Sequence, residues 1–331
     1  MTTPRNAPAK KATLPAALEE ERVAVAYQAP RVLIALVGCG GTGGWVAPQL
    51  ARQTWRFNQL WNRALPQARS ARLLLIDFDL VEAKNIESGQ NFCPPEIGHP
   101  KAQVLLNRLQ LAFGMRPDEI SAVVAPFSPQ VLPYFTEETL TLLVGCVDNG
   151  EARNAFARYV ELQQGHPFPS RTWWIDAGNE ADFGQVLVGN TADEQALAGA
   201  FIHSPCLMLP SPALLAPALL GPDIGEQAQD GEQAIHAFAC GEVRDEEARR
   251  PTTINFHMAG LVASYVDQLL HGGVHTFATY TRLSTMETYS ARISALAIAR
   301  ALGHADAETF ARVLCPIKEM QKLSGRAKKR V

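Results

Sequence analysis

Short apolar runs alternate with longer amphipathic stretches through the first half of the chain. The apolar runs predict buried strands at 31–37, 72–77, 120–125, 140–146, 172–177 and 185–188. The amphipathic stretches predict helices at 42–61, 101–113 and 151–162. Strands that are apolar on both faces and alternate with helices are typical of a parallel sheet covered on both sides. We therefore expect an α/β fold with a doubly wound, mostly parallel, Rossmann-like sheet.

Outside this core the pattern predicts an arm, an irregular insertion and C-terminal helices. Residues 1–30 are polar and contain proline, so we expect an N-terminal arm with one short helix at 16–26. Five prolines and a Gln-rich acidic stretch interrupt residues 191–250, which is typical of a long functional or mobile loop. Regular structure returns in residues 251–331, where the pattern predicts a helix at 252–270, a strand at 275–282, a helix at 291–302 and a basic tail.

The composition limits the classes of partner. The 331 residues carry a net charge of −3 with a pI near 6.3, which argues against a nucleic-acid-binding protein. No run reaches the ~18 apolar residues of a membrane span, and the N-terminal residues lack the apolar region of a secretory signal. The six cysteines are scattered and none forms a CxxC pair. We therefore expect a cytoplasmic protein with no disulfide framework and no structural zinc.

A glycine-rich turn follows the first strand directly and opens the first long helix. Its glycines are Gly38, Gly40, Gly41 and Gly43. Glycines allow a tight turn, and the free N–H groups of a helix N-terminus bind phosphate. Asp77 and Asp79 end the next strand, where an acidic residue binds a ribose hydroxyl in such sites. The extra central glycine, Gly41, and the polar run from Asp77 to Asn85 argue against a nicotinamide cofactor.

Polar residues also follow the strand at 140–146, where Asp148 and Asn149 precede a helix. Ligands of open parallel sheets gather at the carboxyl ends of the strands, so Asp148 is expected at the same edge as the glycine turn. Asp and Asn are also favoured helix N-caps, and that structural role stays open for this pair. Lys101, at the start of a predicted helix, is either a phosphate ligand or a solvated lysine.

Five motifs in a fixed order resemble the ThiF/MoeB family, the bacterial relatives of ubiquitin-activating enzymes. They are GCGGTGG at 38–44, DFDLVEAKN at 77–85, IGHPKA at 97–102, GCVDNGEAR at 145–153 and WWIDAGNEADFGQV at 173–186. The resemblance covers residues 31–190 well and residues 235–270 faintly. Within the family, the chain most resembles the ThiF-like component of PRTRC plasmid or genomic-island systems.

The resemblance implies an α/β adenylation domain, usually a homodimer, with residues 31–190 as its ATP-binding core. Such an enzyme uses Mg²⁺ and ATP to adenylate the C-terminal carboxylate of a small ubiquitin-like (β-grasp) or sulfur-carrier protein, and residues 191–250 would hold that partner. The implied roles are ribose binding by Asp77 or Asp79, hydrogen bonding near the phosphates by Asn85, charge neutralisation by Lys101, magnesium binding by Asp148, and lining of the same strand end by Asn149 and Arg153.

The chain departs from the family where a cation is expected. The family usually has arginine and glutamine three and four residues after the asparagine, and this chain has Ser88 and Gly89 there. Arg22 is a candidate for a second family arginine, on the arm, although a solvated helix residue is its more ordinary interpretation. A site that lacks one phosphate-binding cation could lose orders of magnitude in catalytic rate. A catalytically weak nucleotide-binding scaffold therefore stays open as the alternative function.

Cys240, in the irregular region, is the candidate for covalent transfer. Relatives that form a thioester or persulfide carry a reactive cysteine in a corresponding mobile loop, where a thiolate takes the acyl group from AMP. A buried, inert cysteine is the alternative, and Cys206 is the second choice. Cys39 and Cys146 are expected to be small packing residues. Because the spacing is irregular, no metal site is expected from His203, Cys206, Cys240 and His257.

Other points stay open at the level of sequence. The apolar stretches at 55–65 and 252–270 fit a dimer interface, but they fit a protein core equally well. Neither the modifier protein nor the final acceptor is named by any motif, and nothing indicates what replaces the family arginine at Ser88.

Overall fold

A mixed β-sheet forms the centre of the protein. The computed structural model describes residues 16–64, 69–132, 138–163, 171–221 and 252–316. Within these ranges, strands β1 to β8 are Arg31–Val37, Ser70–Ile76, Ile120–Val123, Thr139–Gly145, Thr172–Asn179, Phe183–Gly189, Thr276–Arg282 and Glu287–Arg292. Their order across the sheet is β3-β2-β1-β4-β5-β6-β7-β8. The neighbouring pairs from β3 to β5 are parallel, and those from β5 to β8 are antiparallel.

Helices cover both faces of this sheet. Helices α1 to α9 of the described residues are Ala16–Glu19, Gly41–Ala64, Ala83–Glu87, Lys101–Phe113, Gly150–Gln163, Pro212–Leu215, Thr252–His271, Ala295–Ala301 and Ala307–Leu314. Across the described residues, none of these helices combines the length and the apolar character that a membrane span needs.

Strand β1 shows why the central strands are apolar throughout. Val32, Ile34 and Leu36 belong to the larger core, which also contains residues of α2, α4 and α7. The alternate residues Leu33, Ala35 and Val37 belong to a second core beneath α5. Because side chains of a strand alternate between the two faces, a sheet with helices on both sides needs apolar residues at every position. The predicted α/β, Rossmann-like fold is confirmed.

The predicted helix at 16–26 is wrong beyond Glu19. The chain then runs extended, and its backbone pairs with two distant segments: Ala24 N–H donates to Val274 O at 2.9 Å, and Val25 N–H donates to Cys206 O at 3.0 Å. In this segment, backbone hydrogen bonds to residues far away in the chain take the place of helical hydrogen bonds. The local sequence does not reveal those partners.

The C-terminal elements also differ from the prediction. Residues 287–292, expected in part as helix, form β8 beside β7. Helix α8 begins only after Ser294, whose hydroxyl accepts the N–H of Ala297 at 3.1 Å as an N-cap. The expected tail contains α9, which Asp306 caps by accepting the N–H of Thr309 at 3.0 Å.

The described part of the irregular region packs closely despite its lack of long helices. Between residues 191 and 221 only short helical turns occur, as expected. Asn190 holds this segment, because its Nδ2 donates to Leu207 O and its Oδ1 accepts the N–H of Leu209, both at 2.8 Å. Leu197, Phe201 and Leu209 are fully buried, so the apolar residues of this segment contribute to the core.

A buried ion pair joins α5 to the carboxyl ends of β4 and β5. Arg153 Nε lies 3.2 Å from Asp176 Oδ1, and the two side chains are 1% and 0% exposed. Arg153 Nη2 also donates to the carbonyl of Val147 at 2.8 Å, immediately after β4. Burial raises the pKa of Asp176, and the charge of Arg153 partly offsets that rise.

We expect Asp176→Asn to destabilise the protein by about 3–5 kcal/mol, because it removes the buried negative charge that faces Arg153. The free energy of unfolding in urea measures this loss. Asp118→Asn, which removes the exposed partner of Arg116, serves as the control and should leave the midpoint nearly unchanged. Equal effects of the two substitutions would contradict the structural role of the buried pair.

Candidate functional site

The glycine turn between β1 and α2 is tight enough to require glycine at two positions. Gly38 has a φ of +85°, and a Cβ on it would lie 2.4 Å from the carbonyl oxygen of Cys146. A Cβ on Gly43 would lie 1.8 Å from the carbonyl oxygen of Gly38. The turn therefore lies against the end of β4, and α2 starts from it, so that its first N–H groups have no partner within the helix.

Asp77 holds this turn against the end of β2. Its Oδ2 accepts the backbone N–H of Cys39 at 2.6 Å, and its Oδ1 accepts that of Asp79 at 2.7 Å. The side chain is buried, which raises the pKa of Asp77, while the two N–H groups and Lys101 oppose that rise. The Asp79 side chain is 50% exposed whereas Asp77 is buried, so Asp79 is the more accessible of the two expected ribose ligands.

Lys101 is buried beside the glycine turn. Its Nζ lies 2.9 Å from Asp79 Oδ2 and 4.0 Å from the position of a Cβ on Gly40. The residue is only 6% exposed, which excludes the alternative of a solvated lysine. Its backbone N–H donates to the carbonyl of Asp79 at 2.9 Å, so the start of α4 is fixed to the end of β2.

Asn85 and its neighbours form a short structured segment at the edge of the site. Asn85 is buried, and its Oδ1 caps α3 by accepting the N–H of Glu82 at 2.8 Å. Ser88, in place of the family arginine, donates its hydroxyl to the carbonyl of Asn85 at 3.2 Å. Gln90, which sequence reasoning missed, has a buried Oε1 with no hydrogen-bond partner among the described residues, 3.7 Å from a Cβ built on Gly40.

Of the two roles that the sequence left open for Asp148 and Asn149, the structure shows the helix N-cap, at Asn149. Asn149 Oδ1 accepts the N–H of Ala152 at 2.9 Å and so caps α5. Asp148 is exposed after the end of β4, with one described partner at 3.3 Å, the side-chain amide of Asn149. A carboxylate in this position is free to accept a further ligand.

These groups line one cavity of about 1240 Å³. The expected ligands that line it are Gly38, Gly40, Gly41, Asp77, Asp79, Asn85, Lys101, Asp148 and Asn149. Gly43 contributes to the shape of the turn instead. Arg153 was expected at this strand end as a ligand, but its guanidinium is buried beneath the site with Asp176. Its role is to position the β4 end.

Several lining residues were not predicted as ligands. Phe127 closes the apolar side after β3, while Lys84 and the exposed Arg158 add positive charge. On the β5 side, the cavity is lined by Thr42, Asn179 and Asn255. Asn179 falls inside a recognised motif and follows a strand, so it could have been found, whereas Asn255 follows residues 222–251 and had no local signal.

The cysteines in the described ranges are mostly buried. Burial raises the pKa of Cys206 to about 12, so the second-choice thioester residue is a poor nucleophile and the structure argues against it. Burial also raises the pKa of Cys39 and of Cys146, as expected for packing residues. Cys240 lies outside the described residues. No group of three or more His, Cys, Asp or Glu residues able to hold a metal occurs in the described ranges.

The arm residue Arg22 is neither helical nor solvated. It is 6% exposed, and its Nη2 lies 2.9 Å from Glu20 Oε2. Its backbone N–H donates to the carbonyl of Ile293 at 2.7 Å. Arg22 therefore packs the arm onto the C-terminal elements of the same chain.

Comparison with known proteins supplies the family. Similar solved structures include E. coli MccB with MccA-N7isoASN and E. coli MccB with ATP, each at 14% identity and a TM-score of 0.43, and PaaA at 16% identity and a TM-score of 0.43. The matches cover 79–81% of this chain, which spans 64–65% of the length of those proteins. Comparison with curated protein sequences gives no significant match. The sequence model of the ThiF family matches residues 19–320, in agreement with the motifs, and the chain therefore belongs to the ThiF family.

Proposed function

We propose that this protein adenylates the C-terminal carboxylate of a small ubiquitin-like or sulfur-carrier protein with ATP and releases pyrophosphate. One observation carries the proposal: the glycine turn, the Asp79–Lys101 pair and Asp148 follow β1, β2 and β4 and line the same cavity. Together they provide N–H groups for phosphate, a carboxylate for ribose, one cation and one free carboxylate.

The nucleotide is assigned to the β1–β3 side of the cavity. Asp79 would accept a ribose hydroxyl, and the apolar residues Ala125, Pro126 and Phe127 would pack against the base. The phosphates would lie across the glycine turn, where the N-terminus of α2 favours negative charge. Lys101, buried beside Gly40, is close enough to contact a phosphate while it keeps its contact with Asp79.

The residues present fit a magnesium ion at Asp148. Mg²⁺ keeps several waters and binds through one or two carboxylates together with phosphate oxygens, so a single exposed carboxylate beside the phosphate site is sufficient. When bound, the ion supplies positive charge to the phosphate oxygens. Asn149, through its contact with Asp148 at 3.3 Å, limits the positions that this carboxylate adopts.

The proposed reaction needs positioning and charge more than a general base. A carboxylate oxygen of the partner's C-terminus attacks the α-phosphorus, the bond to the pyrophosphate oxygen breaks, and an acyl adenylate forms. The attacking carboxylate is already ionised at neutral pH. Lys101 and the N–H groups of the turn would therefore contribute by neutralising the negative charge that develops at the phosphate.

The scaffold alternative is favoured by one observation, the hydroxyl of Ser88 where the family has an arginine. Arg158 lines the cavity and supplies positive charge from outside the sequence motifs, whereas Lys84, which also lines it, is paired with Glu82 at 2.8 Å. We therefore rank catalysis above a purely structural role. Dimerisation, a cytoplasmic location, a PRTRC-type system and thioester transfer to Cys240 are further parts of the proposal.

We expect Lys101→Ala and Asp148→Ala each to lower ATP–pyrophosphate exchange by about 10²–10³-fold, because each removes charge stabilisation at the reacting phosphate. The assay uses a small β-grasp protein as the acyl substrate. Arg116→Ala and Asp118→Ala, an exposed pair outside the cavity, are the matched controls and should retain full exchange.

Exchange that requires the intact C-terminus of the β-grasp protein and is lost only in the cavity variants supports the enzyme. Binding of ATP without exchange for any β-grasp protein supports the scaffold instead. An equal loss of exchange in the control variants would show that the substitutions damage the folded protein rather than the cavity.

We expect Cys240→Ala to abolish a DTT-sensitive adduct with the partner protein, and Cys206→Ala to leave it unchanged. The Cys206 thiol is buried, and its pKa of about 12 leaves almost no thiolate at neutral pH. Gel electrophoresis with and without DTT measures the adduct. An adduct that persists in Cys240→Ala and disappears in Cys206→Ala would reverse the assignment.

A further inference from the structure

Residues 88–91 follow α3 and run past the first turn of α2, and among them Ser88 and Gln90 line the cavity. Gln90 lies beside the glycine turn, because a Cβ on Gly40 would be 3.7 Å from Gln90 Oε1 and 4.0 Å from Lys101 Nζ. This oxygen is buried and has no hydrogen-bond partner among the described residues. The position of the Gln90 amide therefore depends on the backbone that carries it.

Helix α2 holds that backbone on both sides of Gln90. Trp45 Nε1 donates to the carbonyl of Gly89 at 3.3 Å, and Asn91 Nδ2 donates to the carbonyl of Gly44 at 2.8 Å. A Cβ on Gly44 would lie 3.4 Å from Asn91 Cβ, so the segment lies directly against the helix. The residues before and after Gln90 are thereby tied to the first turn of the helix that starts at the glycine turn.

Arg108 on α4 holds the same segment from another side. Its Nη1 donates to the carbonyl of Asn91 at 2.9 Å. Its Nε donates to Glu96 Oε1 at 2.6 Å and its Nη2 to Glu96 Oε2, so the guanidinium and the carboxylate form a two-pronged pair. Glu96 Oε2 also accepts the N–H of Cys93 at 2.8 Å. Arg108 lies outside the cavity, and Glu96 neutralises its charge.

These contacts matter because the segment carries Ser88 where the family has a phosphate-binding arginine. An unanchored segment would have to be ordered when a nucleotide binds, and that loss of conformational freedom would weaken binding. With both neighbours of Gln90 held in advance, only the amide itself has to adjust. Rotation about its last side-chain bond exchanges the oxygen for the Nε2 donor, which can then donate to a phosphate oxygen.

We propose that Arg108 is a positioning residue for the phosphates of the nucleotide. Together with Trp45 and Asn91, it holds Gln90 beside the glycine turn, where Gln90 Nε2 donates to a phosphate oxygen. This inference rests on the ATP site of the proposed function, and it is independent of which carboxylate is adenylated.

The affinities for ATP and for adenosine, measured by competition calorimetry, test this role. Adenosine has no phosphate, so the ratio of the two affinities isolates the contribution of the phosphates. We expect Gln90→Ala to lower this ratio about tenfold, because it removes a hydrogen bond to a charged acceptor. We expect Arg108→Ala to lower it about three- to tenfold, because Gln90 is then present but no longer held. The affinity for adenosine should stay close to that of the wild type.

The double variant shows whether Arg108 acts through Gln90. In the Gln90→Ala background, Arg108→Ala should change the ratio by less than about twofold, because the two substitutions affect one contact. An arginine that only stabilises the fold would weaken both ligands equally. Arg108→Lys keeps the charge but lacks the two-pronged geometry, so it should lower the ratio as alanine does.

Arg116→Ala is the matched control, because it removes an exposed arginine that also pairs with a carboxylate, outside the cavity. It should keep the wild-type ratio. Trp45→Phe removes the Nε1 donor to Gly89 and keeps an aromatic ring. It gives a second measurement should Arg108→Ala fold poorly, and it should also lower the ratio.

A wild-type ratio in Arg108→Ala would overturn the proposal. Additive effects of Arg108→Ala and Gln90→Ala, or a wild-type ratio in Arg108→Lys, would overturn it as well, because Arg108 would then act independently of Gln90 or through its charge alone. If the wild type binds ATP no more tightly than adenosine, the proposed phosphate site itself fails. That outcome is distinct from a preference for ATP that does not depend on Arg108.

Discussion

The hydrogen bonds from two backbone N–H groups to the carboxylate of Asp77 determine the geometry of the site. One bond comes from Cys39 in the glycine turn and the other from Asp79 at the end of β2. They fix the turn after β1 relative to the strand end that carries Asp79, and Lys101 is fixed to Asp79 in turn. A backbone hydrogen bond from Gly38 N–H to the carbonyl of Ile76, at 3.0 Å, is a second link between the glycine turn and the end of β2.

The sequence predicted most of this framework because its signals are local. Alternate residues of β1 pack into the two cores, so the strand must be apolar throughout, and an uninterrupted apolar run is visible in the sequence. The glycines that a tight turn requires are visible in the same way. The extended conformation of residues 20–29 was missed because their backbone partners, among them Cys206 and Val274, lie far away in the chain. Strand β8 and helix α9 were missed although β7 and the N-cap Asp306 are close in sequence. Asn255 shows the limit of local signals within the cavity, since only the tertiary packing of α7 against Gly41 brings its amide to the glycine turn.

Sequence motifs also assigned roles that the packing redistributes. Asp77 and Arg153 belong to the expected ligand set, yet both use their hydrogen-bonding groups on the protein itself, and Asp79 and Asp148 are the carboxylates that remain available.

The missing family arginine is a related case. Lys84 lies within the motif at 77–85 and is paired with Glu82 at 2.8 Å, and Glu87 and Glu151 line the cavity as well. Arg158 is therefore the described lining cation that the sequence motifs do not reveal.

The central claim is that the turn held by Asp77 binds the phosphates of ATP, and a crystal structure with a non-hydrolysable ATP analogue and Mg²⁺ tests it most directly. The account predicts the triphosphate across the turn from Gly38 to Gly43, with Lys101 Nζ in contact with a phosphate oxygen and a ribose hydroxyl bound to Asp79. An analogue bound away from this turn, or bound there with its phosphates pointing away from Lys101 and Asp148, would contradict the account.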